Sequence, residues 1–175
     1  MIVNLSEIMS VKGNVVKVQA PIELESFCME GIEYPFADKS DVNLTITNLG
    51  DRKIKVEGEA KLSLLIPCNR CLEDVKNWFE LKFEKDLDFN QDSEERIKEL
   101  DETNYITEYN LDVDLLIYDE ILIDFPMKIL CDENCKGFCK VCGTNLNVGT
   151  CDCQNAGSDP RMSIIRDIFN NFKEV

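Results

Sequence analysis

Six cysteines fall within the twenty-four residues from Leu130 to Cys153, LCDENCKGFCKVCGTNLNVGTCDC, and a further pair stands as Cys68-x-x-Cys71. Such a density raises the question of what holds the sulfurs: disulfides, an iron–sulfur cluster or zinc. Tetrahedral zinc takes four thiolates, usually supplied as two closely spaced pairs. Cys139-x-x-Cys142, followed after eight residues by Cys151-x-Cys153, meets that pattern, and Gly143, Asn145, Asn147 and Gly149 tolerate the tight turns of a small metal loop. Cys139, Cys142, Cys151 and Cys153 are therefore expected to form a structural zinc site. Cys68, Cys71, Cys131 and Cys135 are expected to supply a second one, tying a sheet to the C-terminal extension and coupling metal binding to folding. Free thiols, or ligand exchange between neighbouring sites, are the alternatives for that second set, so the chain is expected to hold one or two zinc ions. Cys28, alone in ESFCMEG, reads as a buried small apolar residue.

The rest of the chain bears on these choices. The opening MIVNLSEIMSVKGNVVKV is broken by polar residues, and no apolar run approaches a membrane span. The expectation is a soluble cytoplasmic protein with no membrane attachment, in a reducing compartment that favours metal or redox roles over a disulfide framework. Nine is also an odd number of cysteines. Cys135-x-x-x-Cys139-x-x-Cys142 reproduces the spacing of radical enzymes that bind S-adenosylmethionine, but only 33 residues follow Cys142 and the preceding strands read as antiparallel. An ordinary four-cysteine iron–sulfur cluster stays open. So does a thiol oxidoreductase built on Cys68-Asn-Arg-Cys71, where Arg70 would lower a thiolate pKa; the same arginine serves zinc ligation equally well.

Most familiar hydrolase designs are excluded by the absence of histidine, which removes Ser-His and Cys-His pairs, a His general base and His metal ligands. No catalytic constellation and no small-molecule site are expected. The net charge of -15 argues against nucleic-acid binding, but the acidity is regional. Residues 84–124 hold fifteen acidic residues against three basic, whereas residues 52–82 carry seven basic against five acidic. Lys53, Lys55, Lys61, Arg70 and Lys76 around a hairpin, with Lys136, Lys140 and Arg161 near the metal, are the candidate contacts to RNA or a partner.

Apolar residues alternate through Ile54, Val56, Ala60, Leu62, Leu64 and Ile66 and again through Phe79, Leu81, Phe83, Leu87 and Phe89, with Gly58 in phase, the period of half-buried strands. Their connection PCNRCLEDVKN places Cys68 and Cys71 near the end of an antiparallel hairpin. Val42, Leu44 and Ile46 suggest another strand, and 14–18 and 21–27 two weaker ones. Residues 91–109 read as a loop or a loosely held short helix. Leu111, Leu115, Leu116, Tyr118 and Leu122 predict a helix over about 111–123, with Asp112 and Asp114 at its positive end and Pro126 beyond it. Ser158-Asp159-Pro160 before Ile164, Ile165, Ile168, Phe169 and Phe172 predicts a C-terminal helix. The expected fold is α+β: a mainly antiparallel sheet in the N-terminal half, a helix near 111–123, a zinc-knuckle-like segment and a C-terminal helix. A sheet-rich core over 1–127 and a cysteine-rich extension over 128–175 would form one integrated domain.

Pro67-Cys-x-Arg-Cys-Leu72, an acidic stretch, a helix ending in Asp124-Phe-Pro126, CKGFCKVCGTNLN, CDC and Asp159-Pro160-Arg161, in that order, resemble the YceD-like family of bacterial and plastid proteins, over roughly residues 50–172. The extra cysteines are similar to the form typical of Gram-positive bacteria. The resemblance implies a non-enzymatic factor in accumulation or assembly of the large-subunit (23S) ribosomal RNA. Its partner would be that RNA or a pre-ribosomal particle, reached directly or through a ribosomal protein. Forms of the family without CKGFCKVC imply that the knuckle site elaborates a shared scaffold. A second reading makes the acidic 84–124 segment an interaction module that binds or shields a basic ribosomal protein.

Overall fold

A computed structural model describes residues 1–90 and 104–153. The chain divides into two compact units, one comprising Met1–Ile66 with Lys76–Met127, the other Pro67–Val75 with the chain from Lys128 onward.

The first unit is mostly antiparallel sheet. β5 (Val42–Gly50) and β6 (Lys53–Pro67) alternate as their side chains require, with Val42, Leu44, Ile46, Ile54, Val56, Leu62, Leu64 and Ile66 buried. β7 (Asp74–Asp88) follows the same period, burying Phe79, Leu81, Phe83 and Leu87. The sheet runs β2 (Val15–Ala20), β5, β6, β4 (Ile32–Lys39), β3 (Ser26–Met29), and β7 also pairs with β6. β6 can serve so many partners because it is 15 residues long: β5 lies along Lys53–Glu59 and β4 along Leu62–Leu64. Separately, β1 (Ile2–Asn4), β9 (Asn110–Asp112) and β8 (Ile106–Thr107) form a small antiparallel sheet, with Val3 opposite Leu111.

The buried Asn48 is fully hydrogen-bonded. Asn48 donates its amide to the carbonyls of Ile8 and Val11 at 3.0 and 2.9 Å and accepts from the Gly50 N–H at 2.8 Å, anchoring the segment around α1 (Ser6–Met9) to β5. Leaving such groups unmet would cost about 1–3 kcal/mol each. α2 (Val113–Asp124) is capped by Asp112, whose carboxylate accepts from the N–H groups of Asp114 and Leu115. The buried carboxylate of Glu120 meets Lys85 of β7 at 2.7 Å.

Several expectations need correcting. Residues 111 and 112 belong to β9, and the buried face of α2 is Val113, Leu116, Ile117, Glu120 and Ile121, while Leu115 and Leu122 are exposed. The expected stripe used the neighbouring face, because apolar residues surround the helix and no single face stands out. Of residues 21–27 only Ser26 and Phe27 enter a strand. Cys28 is exposed, because the alternation that buries Phe27 turns its neighbour outward. β4 escaped notice because IEYPFADK lacks clean alternation and contains Pro35. Residues 91–103 and the expected C-terminal helix lie outside the described residues.

Gly58 sits opposite Leu44 and faces the core, where a Cβ would lie 2.2 Å from the Phe83 ring and 2.9 Å from Leu44 Cδ2. Gly58→Ala is therefore expected to lower stability by about 1–3 kcal/mol through overpacking. Denaturant unfolding checks this: Phe83→Leu in the same chain should recover part of the loss, and an unchanged midpoint in Gly58→Ala would contradict the packing described.

Candidate metal centre

Both Cys-x-x-Cys segments fold into the same turn, for the same local reason. In the first, the Arg70 N–H points at Cys68 Sγ at 3.4 Å and the Leu72 N–H bonds the Cys68 carbonyl at 3.0 Å. In the second, the Val141 N–H points at Cys139 Sγ at 3.4 Å and the Gly143 N–H bonds the Cys139 carbonyl at 2.8 Å. Each turn closes on a left-handed residue, Leu72 at φ 59 and Gly143 at φ 74. Glycine takes that conformation freely, whereas a leucine pays about 1–2 kcal/mol for it.

The turns gather two sets of four thiols. Cys68, Cys71, Cys131 and Cys135 form the hairpin set, and Cys139, Cys142, Cys151 and Cys153 the knuckle set; within each, the sulfurs all lie within 4.8 Å of one another. Cys68 and Cys135 are 3.8 Å apart, Cys71 and Cys131 3.5 Å. Those separations exclude an S–S bond, which needs about 2.0 Å. They agree with the edge of a tetrahedron around one ion, about 3.8 Å for metal–sulfur bonds of 2.3 Å. Thiolates on four separate irons of a cluster stand further apart, so the donor set fits one soft divalent ion per site.

The frame around the hairpin set comes from backbone and amide groups. Asn69 exchanges two bonds with Ile129, its N–H donating to the Ile129 carbonyl at 2.9 Å and its side-chain oxygen accepting from the Ile129 N–H at 2.8 Å. The Arg70 guanidinium donates to the carbonyls of Cys135 and Glu133 at 2.8 and 3.2 Å. Gly137, at φ 76, lets the chain pass the Arg70 carbonyl, which a Cβ would meet at 2.9 Å. Asn147 donates its amide to Cys135 Sγ at 3.2 Å. Val75 and Leu130 pack against the buried Cys68, Cys71 and Cys135. The knuckle set is less buried.

Electrostatics within each set favour a cation. Burial pushes the Cys68 thiol up, but N–H donation from Arg70 and Cys71 outweighs it and brings the group down to about 6. Its neighbour Cys131 is pushed up to about 12, first by Cys71 and then by Cys135. In the knuckle set the Thr144 hydroxyl and N–H hold Cys142 down at about 6, while Cys142 in turn drives Cys153 up to about 12. Cys135 and Cys139 are lowered and Cys71 and Cys151 raised, so each set divides into two sulfurs inclined to charge and two prevented from it. Like charges this close cannot coexist unaided, and a divalent ion removes the conflict.

The candidate RNA contacts are arranged differently. Lys53 pairs with Asp88 at 3.1 Å, Lys55 with Glu84 at 2.8 Å and Glu57 at 3.4 Å, Lys61 with Glu80 at 2.9 Å, and Lys76 with Asp38. Arg70 is committed to the carbonyls named above. Lys136 and Lys140 are exposed and enter none of the ion pairs found among the described residues. Arg161 lies outside those residues. The sequence had marked Asn147 only as a turn former and passed over Gly137, Thr144 and Asn69; the Asn-Leu-Asn spacing between the two knuckle pairs was the available signal. No helix among the described residues is long and apolar enough to cross a membrane.

Two outcomes follow from this geometry. The reduced protein should carry about two divalent ions per chain, measured by metal analysis; a value near one would remove one set from the account, and a brown protein would replace zinc by iron. Leu72→Gly should hold or raise the melting temperature, by up to about 1 kcal/mol of stability, whereas Gly143→Val should lower it; a marked loss in Leu72→Gly would contradict the strain assigned to that turn.

Comparison with known proteins places these residues in a family. Residues 56–169 match the family described as "Large ribosomal RNA subunit accumulation protein YceD". The chain is also similar to "Large ribosomal RNA subunit accumulation protein YCED homolog 1, chloroplastic" of Arabidopsis thaliana, with 25% identity over 153 residues covering 73% of this chain. It spans 47% of that relative's length. No solved structure matches the chain. The matched range covers more than half of the 175 residues and contains both thiol sets, and the protein belongs to the YceD family of large ribosomal RNA subunit accumulation proteins.

Proposed function

We propose that this protein is a non-enzymatic cytoplasmic factor that supports accumulation of the large-subunit (23S) ribosomal RNA by assisting assembly of its precursor particle. Zinc bound by Cys68, Cys71, Cys131 and Cys135, and by Cys139, Cys142, Cys151 and Cys153, has a structural part in it. The observation that carries this reading is the family match across residues 56–169, which includes both sets. Zinc is favoured over the other soft ions because four thiolates at tetrahedral spacing are its usual structural donor set. A four-thiolate assignment also ties up Cys68 and Cys71, which a thiol oxidoreductase would need free.

The route to the RNA follows from the lysines. Phosphate binding rewards unpaired cations, and Lys53, Lys55, Lys61 and Lys76 already face carboxylates. That observation favours the reading in which the acidic chain, with fifteen acidic residues over 84–124, engages a basic ribosomal protein. Its contact with the RNA would then be indirect.

Depletion of the protein in its own host, followed by measurement of the ratio of large- to small-subunit ribosomal RNA, tests the function. A selective fall in the large-subunit species is expected, and an unchanged ratio would overturn it. Salt-sensitive capture of basic ribosomal proteins with no retention of purified ribosomal RNA is expected for the indirect route; retention of RNA alone would reverse it.

A further inference from the structure

The loop between the two pairs of the knuckle set, residues 143–150, does more than join them. Asn147, at its middle, donates its amide to Cys135 Sγ of the hairpin set at 3.2 Å and accepts the Lys136 N–H on its carbonyl oxygen at 2.7 Å. Two residues before it, Asn145 donates to the Glu73 carboxylate at 2.9 Å, immediately after the Cys68-x-x-Cys71 turn. The Leu146 N–H bonds the Gly137 carbonyl at 2.9 Å, and a bridge joins Phe138 to Asn145. Within the loop, Asn145 also receives the Asn147 N–H on its side chain and the Val148 and Gly149 N–H groups on its carbonyl.

No residue from 143 to 150 is buried, so the loop has no core of its own to hold its shape. Its ends are fixed by Cys142 and Cys151, both members of the knuckle set. Closing that set shortens the path the loop can wander and sets where Asn147 stands.

We propose that the two thiol sets load cooperatively, with Asn147 as the positioning residue: filling the knuckle set orders the 143–150 loop and so delivers the Asn147 amide to Cys135, a ligand of the hairpin set. This rests on reading both sets as metal sites. Groups that hold a ligand in place typically contribute a factor of about 10–100 in metal affinity. Because linkage is reciprocal, loss of the hairpin ion weakens the knuckle set by the same factor that loss of the knuckle ion weakens the hairpin set.

The test is competition between the full-length reduced protein and a chromophoric chelator for zinc, repeated with cobalt, whose thiolate charge-transfer bands count the four-thiolate sites filled. The parent chain is compared with Cys142→Ser/Cys151→Ser, which disables the knuckle set, with Asn147→Asp, and with the combination. Asn147→Asp keeps an oxygen for the Lys136 N–H but exchanges the donor to sulfur for a charged acceptor. Asn147→Ala, which removes the donor without adding charge, is therefore run beside it, and a retained knuckle ion shows that the loop still folds. The knuckle-disabled chain should bind its hairpin ion about 10–100-fold more weakly than the parent. Asn147→Asp should do likewise, and the combination should be little worse than either. Hairpin affinity unchanged by disabling the knuckle set, or losses that multiply in the combination, would overturn the coupling alone. Fewer than two ions on the parent chain would overturn the metal reading beneath it.

Discussion

Four sulfurs held within 4.8 Å of one another are the constraint on which the second unit depends. Two in each set are inclined to ionise and two are kept from it. A divalent ion converts that conflict into attraction. In its described part Ile129 is the one buried apolar side chain other than cysteine. Burying such a residue is worth about 1.5–3 kcal/mol, while a structural zinc contributes about 10–16 kcal/mol of apparent binding free energy. Metal binding, on this account, outweighs hydrophobic burial there several-fold.

The first unit is organised by the opposite means. Its strands bury an alternating apolar face, its buried Asn48 is hydrogen-bonded, its buried Glu120 faces Lys85, and Lys53, Lys55, Lys61 and Lys76 face carboxylates. Such exposed pairs add little stability. Their consequence is electrostatic: they offset the charge of Lys53, Lys55, Lys61 and Lys76 on a chain whose net charge is already -15.

The parts legible in the sequence were those with a strict period or a fixed donor count. β5, β6 and β7 declared themselves through period-two alternation, and the two groups of four cysteines through their spacing. α2 was legible as a helix but not in its orientation, because Leu115 and Leu122 are as apolar as the Leu116 and Ile117 that the core receives. β4 was hidden by Pro35. Glu84 and Glu80, which meet Lys55 and Lys61, lie far along the chain on β7 and needed the hairpin register to be seen. Asn147 looked like one turn residue among several, since a side chain that reaches sulfur and one that only bends the chain share the same letter.

Amide hydrogen exchange with and without a strong zinc chelator tests the central claim most directly. If metal holds the second unit, chelation should abolish protection at the Leu72, Gly143 and Leu146 amides while the β5–β6 ladder of the first unit stays protected. Equal protection of those three amides before and after metal removal would contradict it.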